Sequence, residues 1–175
     1  MLLDLSPLLT EEGKSLKTKV PLTIDGIDVN GEKHPAAGPG SLELKIVNTG
    51  KKVIEIEAEA DISFVFQCAR CLAPVEYRFF MDFQRTADLK LSGDQLAGYL
   101  EEESFIENEK LDPDILVRNE ILIRWPIRVL CREDCRGICS KCGANRNIHP
   151  CDCVQESGDV RMMAIRDIFS KFKEV

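Results

Sequence analysis

Val53-Ile54-Glu55-Ile56-Glu57-Ala58-Glu59-Ala60 alternates apolar with acidic side chains, continues through Ile62-Ser63-Phe64-Val65-Phe66, turns at Cys68-Ala69-Arg70-Cys71, and returns as Glu76-Tyr77-Arg78-Phe79-Phe80-Met81-Asp82-Phe83. A period of two places every second side chain on one face, so each arm reads as a strand with one buried side. Two such arms joined by a short link form an antiparallel hairpin. A Cys-x-x-Cys at its tip can present two thiolates to one metal.

Upstream, Ser41-Leu42-Glu43-Leu44-Lys45-Ile46-Val47 mostly alternates as well, and Asn48, Thr49 and Gly50 supply a turn into Val53. Residues 31–41, rich in Gly and Pro, predict a mobile loop, with His34 in it as an unremarkable side chain. Downstream, residues 89–110 carry Glu101, Glu102, Glu103, Glu107 and Glu109. They predict a loop and an exposed edge strand whose charges discourage pairing with other chains; a solvated face accounts for them more simply than a partner-binding patch.

Asp112-Pro113-Asp114 has the chemistry of a helix start: an N-cap acid, Pro at the first helical position and a second acid in the first turn. A helix near residues 112–124 follows, with Ile115, Leu116, Leu122 and Ile123 expected to face the sheet and Pro126 after Trp125 stopping it. Over residues 159–173, Met162, Ile165, Ile168, Phe169 and Phe172 make the stripe of a C-terminal helix, packed on the domain or receiving a partner.

Residues 130–153 hold six of the eight cysteines and few apolar side chains, so burial cannot offset their lost backbone entropy. Disulfides or a thiolate-bound metal must do so. The N-terminus lacks the basic region of a secretory signal, and no apolar run approaches the ~18 residues of a membrane span. A cytoplasmic protein without a membrane partner is expected. Thiols stay reduced there, and zinc is the expected cofactor.

Eight thiols divide into two tetrahedral sites. Cys139, Cys142, Cys151 and Cys153 form the best local set, with Gly143 suiting a tight turn in which backbone N–H groups face sulfur. Cys131 and Cys135 are left to join Cys68 and Cys71. Cys68 and Cys71 can instead pair with Cys139 and Cys142 as a zinc ribbon, and His149 can replace a thiolate. Neither Cys-x-x-Cys opens a helix beside a parallel strand, and with two histidines the acid–base repertoire is poor, so no enzyme is expected.

The fold class is therefore α+β: an antiparallel β-sheet domain with a central helix over residues 1–129, then a cysteine-rich zinc-binding segment and C-terminal helix over residues 130–175. The net charge of −7 is uneven. Up to Ile123 there are 13 Lys/Arg against 23 Asp/Glu, and beyond it 10 against 7. Any phosphate contact is thus expected in the C-terminal third, although a differently solvated face gives the same asymmetry.

Cys68-Ala69-Arg70-Cys71 in a β-rich region, the Asp112 helix ending at Trp125-Pro126, and the run from Leu130-Cys131 through Cys135-Arg136-Gly137-Ile138-Cys139 to Cys142-Gly143 together resemble the YceD family, the large ribosomal RNA subunit accumulation proteins. Ser140, Arg146 and Val160 depart from the family pattern, and none removes a ligand. The resemblance implies a non-enzymatic factor supporting large-subunit ribosomal RNA accumulation and ribosome assembly. A zinc-tied tail presenting Arg132, Arg136, Lys141 and Arg146, joined by Arg70, would then dock on large-subunit ribosomal RNA or its precursor, while the acidic sheet limits nonspecific binding or meets a ribosomal protein. Two alternatives are a redox-switched zinc chaperone and a protein-interaction module stabilised by zinc.

Overall fold

The computed structural model describes residues 1–89 and 104–153. The strands are β1 (Leu3–Asp4), β2 (Ser15–Leu22), β3 (Gly26–Val29), β4 (Glu32–Pro35), β5 (Gly40–Gly50), β6 (Val53–Gln67), β7 (Pro74–Asp88), β8 (Ile106–Glu107) and β9 (Lys110–Leu111), followed by helix α1 (Pro113–Ile123). The described residues are mostly antiparallel sheet with one short helix. The expected C-terminal helix and Glu101 to Glu103 lie outside them. No helix among the described residues is long and apolar enough to cross a membrane.

The main sheet has the order β2-β5-β6-β7, antiparallel throughout. Alternation does what it predicts: Leu42, Leu44, Ile46, Ile54, Ile56, Ile62, Phe64, Phe79 and Met81 are buried on one face. Ala58 and Ala60, opposite Phe83 and Met81, leave room for larger neighbours. The other face is charged and solvated, with cross-strand pairs Lys19–Glu43 at 2.8 Å, Lys45–Glu57 at 2.9 Å and Arg78–Asp61 at 2.6 Å. Leu5, Leu8, Ile27, Leu111, Leu116, Val117 and Ile121 complete the core cluster.

Three expectations need correction. The β5–β6 turn lies not at Asn48 to Gly50 but at Lys51 and Lys52, whose φ of 55° and 64° belong to the hairpin turn that matches strand twist. Asn48 is buried instead, and its amide donates to Leu8 O (3.2 Å) and Glu11 O (2.9 Å), pinning the N-terminal segment.

Nor is the Gly/Pro stretch a free loop. Glu32–Pro35 pairs with β3, Ala37 N donates to Ser63 O at 2.8 Å, and His34 is buried against Phe66 and Trp125, with ring centroids 4.5 and 5.0 Å away.

On α1 the expected cap holds, since the Asp112 carboxylate accepts from Asp114 N (2.9 Å) and Ile115 N (3.3 Å). The buried face, however, is Pro113, Leu116, Val117, Glu120 and Ile121, spaced i, i+3, i+4, i+7, i+8. Leu122 and Ile123 are 43% and 53% exposed, and Ile115 is half-buried. Glu120 is buried on this face and forms a salt bridge with Arg85 of β7.

Phe64→Ala, removing a fully buried ring packed edge-on to Phe79, is expected to cost about 3–5 kcal/mol in urea unfolding, against less than about 1 kcal/mol for Phe80→Ala on the solvated face.

Candidate metal centres

The β6–β7 ladder ends where Cys68 N donates to Ala73 O (2.8 Å) and Leu72 N to Cys68 O (2.9 Å), with Leu72 at φ 59° closing the turn. Ala69 N then donates to Val129 O at 2.9 Å and draws the segment after α1 alongside. Cys131 and Cys135 are thereby placed opposite Cys68 and Cys71. Their sulfurs approach in pairs, Cys68 to Cys135 at 3.8 Å and Cys71 to Cys131 at 3.6 Å, and all four lie within 4.8 Å of one another. Cys68, Cys71 and Cys135 are buried under Ala73, Val75 and Leu130, while Cys131 is exposed.

Arg70 braces this first centre. Its guanidinium donates to Glu133 O (3.1 Å) and Cys135 O (2.9 Å), and its carbonyl accepts from Ile138 N (3.0 Å). Gly137 sits so close that a Cβ there would lie 2.9 Å from Arg70 O, and its φ of 73° is left-handed.

The second centre gathers Cys139, Cys142, Cys151 and Cys153, again with all sulfurs within 4.8 Å. Gly143, at φ 72°, closes its turn by donating to Cys139 O at 2.9 Å, and Cys139 N donates to Ala144 O at 2.8 Å. Cys139 is buried, Cys142 exposed, and Cys151 and Cys153 half-buried. The ribbon pairing of Cys68 and Cys71 with Cys139 and Cys142 is not what the chain brings together. His149 lies in neither group.

Backbone donors decide which sulfurs are ready thiolates. Burial pushes the Cys68 thiol up, but N–H groups of Arg70, Cys131 and Cys71 outweigh it and bring Cys68 down to about 6. N–H groups of Cys142 and Lys141 bring Cys139 to about 6. Conversely, desolvation of its sulfur among the other three, with their hydrogen bonds, pushes Cys131 up to about 12 although the residue as a whole is exposed, and the hydrogen bond with Cys142 together with desolvation does the same to Cys153. Each group thus sets a thiol that gives up its proton readily, Cys68 or Cys139, beside one that holds its proton tightly, Cys131 or Cys153.

The donor sets fit a metal. Four thiolates at zinc–sulfur distances near 2.3 Å stand about 3.8 Å apart along a tetrahedral edge, close to the two sulfur separations of the first centre.

The expected phosphate-binding residues are distributed around these centres. Arg132, Arg136 and Lys141 are exposed and Arg146 is half-buried. Arg132 Nη2 donates to Asn147 Oδ1 at 2.8 Å and Arg132 Nε lies 3.4 Å from Asp134. Arg70, although exposed, is committed to the backbone carbonyls of the first centre. Sequence reasoning missed Asn147, whose Nδ2 lies 3.3 Å from Cys135 Sγ. The available signal was an amide side chain between ligands, able to donate to sulfur.

Fold and site define an antiparallel β protein carrying two tetracysteine centres. The family model described as large ribosomal RNA subunit accumulation protein YceD matches residues 56–169, more than half of the chain, and the chain belongs to that family. A relative from Arabidopsis thaliana, large ribosomal RNA subunit accumulation protein YCED homolog 1, chloroplastic, is 36% identical over 53 residues, covering 30% of this chain and 16% of the relative. No solved structure matches.

Gly137→Ala is expected to cost about 1–2 kcal/mol through its left-handed backbone and to speed amide exchange at Ile138, which hydrogen–deuterium exchange would read directly.

Proposed function

We propose that this chain is a non-enzymatic factor supporting large-subunit ribosomal RNA accumulation and ribosome assembly, acting in the cytoplasm through a basic, zinc-folded segment. The carrying observation is that Arg132, Arg136 and Arg146 sit on the cysteine-tied stretch of a chain whose family is named for that RNA. Zinc is the expected cofactor, held by Cys68, Cys71, Cys131 and Cys135 in one centre and Cys139, Cys142, Cys151 and Cys153 in the other. When bound, it neutralises thiolate charge and supplies the folding energy that residues 130–153 cannot draw from burial.

The protein's own groups do the positioning. Arg70 fixes the carbonyls of Glu133 and Cys135, so the backbone carrying Arg132 and Arg136 is held against the sheet domain. Arg132, Arg136, Lys141 and Arg146 then face phosphates of large-subunit ribosomal RNA or its precursor, with Arg70 beside them. The acidic side chains of β5 and β6 oppose indiscriminate contact with polyanions, and a basic ribosomal protein is their natural partner. On this division, residues 1–129 form the scaffold and residues 130–175 the RNA-facing part.

Exposed Cys131 and Cys142 favour a second reading, a redox-switched zinc chaperone, because an oxidant can reach both centres. Metal release by mild peroxide with new holdase activity would support that reading.

Crosslinking the tagged protein to RNA in growing cells is expected to enrich large-subunit ribosomal RNA or its precursors. Reversing Arg132, Arg136, Lys141 and Arg146 to Glu should weaken that association and flatten its log–log salt dependence by about 0.7–0.9 per lost phosphate contact. Binding unchanged by the four reversals would sink the proposal.

A further inference from the structure

We infer that Asn147 joins the two cysteine centres into one binding unit, so that loading either with metal raises the affinity of the other. The inference rests on the metal-binding reading given above.

By chain position Asn147 belongs to the second centre, since it lies in the loop between Cys142 and Cys151. By contact its side chain belongs to the first. Nδ2 donates to Cys135 Sγ at 3.3 Å and to Asn145 Oδ1 at 2.9 Å. Oδ1 accepts from Arg136 N and from Arg132 Nη2, both at 2.8 Å. Both amide hydrogens and both lone pairs are thus used, and three of the four bonds go to the strip carrying Cys131 and Cys135. The donor on Cys135 holds its sulfur in place, the service an outer-shell group gives a metal ligand.

The loop carrying Asn147 has little else to order it. Ile148 is 68% exposed, and Ala144 is half-buried. The loop is held by an isolated bridge between Ile138 and Asn145, main-chain bonds from Arg146 N to Gly137 O, Cys139 N to Ala144 O and Gly143 N to Cys139 O, turn bonds from Ile148 N and His149 N to Asn145 O, and Asn147 N on Asn145 Oδ1. Cys142 and Cys151 close the loop, and both are ligands of the second centre. Metal there fixes both ends of the loop, and the conformational freedom this removes no longer opposes the contact of Asn147 with Cys135. By linkage the effect is reciprocal: a first centre that holds Asn147 pre-orders the loop for the second.

Cobalt(II) serves as probe, because thiolate-to-cobalt absorption reports bound metal and competition with a chromophoric chelator gives affinity. In the full chain, Asn147→Ala is expected to lower first-centre affinity about 10- to 100-fold. Disabling the second centre with Cys142→Ser and Cys153→Ser should lower it comparably. The triple variant should be no weaker than the weaker parent, because the same link is removed twice.

A measurement on the unaltered chain guards against variants that misfold. At one equivalent of cobalt, native mass spectrometry should find mainly empty and doubly loaded chains, whereas independent equal sites leave about half singly loaded. An Asn147→Ala affinity within twofold of the unaltered chain overturns the coupling, as does a first-centre affinity unmoved by Cys142→Ser with Cys153→Ser or, for centres of equal affinity, a singly loaded fraction of half or more. Two metals bound independently would leave the zinc reading standing and remove only the coupling, whereas a chain binding no metal would remove both.

Discussion

The ladder between β6 and β7 runs from Val53 opposite Asp88 to Gln67 opposite Pro74 without a shift in register. Its far end is the turn bearing Cys68 and Cys71. Pairing over two strands of 15 residues leaves that turn little freedom, and the packed face beneath it, from Ile54 to Phe66, cannot slip by one residue without turning every apolar side chain to water. The cysteine-rich strip has no comparable support of its own. It is hung on the turn through two main-chain bonds, Ala69 to Val129 and Ile138 to Arg70, and through the guanidinium of Arg70.

What could be read directly were features with a short-range cause. Alternation from Val53 to Ala60 located β6 and its buried face, the Asp112-Pro113-Asp114 cap located the start of α1, and the spacing from Cys139 to Cys153 pointed to the second group of sulfurs that the fold brings together. What could not be read depends on distant residues. Asn48 looks like a turn residue, but the fold spends its amide on the carbonyls of Leu8 and Glu11 and moves the turn to two lysines. Leu122 and Ile123 look like core, but the buried stripe runs instead through Leu116, Val117 and Ile121 and takes in Glu120, which pairs with Arg85 of β7. Gly and Pro between residues 31 and 41 suggest freedom, yet Phe66 and Trp125 give His34 an aromatic seat.

Charge is arranged by layer. The solvated face of the sheet sets Glu43, Glu55, Glu57 and Glu59 among Lys19 and Lys45, whose exposed pairs contribute little to stability but keep the face wet. The arginines cluster at the cysteine end, where two of them have internal partners. Arg70 and Arg132 are therefore structural as well as charged: replacing Arg70 frees two backbone carbonyls, and replacing Arg132 frees the side chain of Asn147, along with the change in electrostatic potential.

The two centres also differ in when their ligands leave the ribosome. Cys139 to Cys153 are made within a single short stretch, so that group can be assembled from its own loop. Cys71 and its neighbour Cys131 are 60 residues apart, with α1 between them. The first pair of thiols is thus synthesised well before its complement and waits, on a finished hairpin, as an incomplete chelate. Translation order makes Cys68 and Cys71, at the tip of the β6–β7 hairpin, available before Cys131 and Cys135 exist to complete the set.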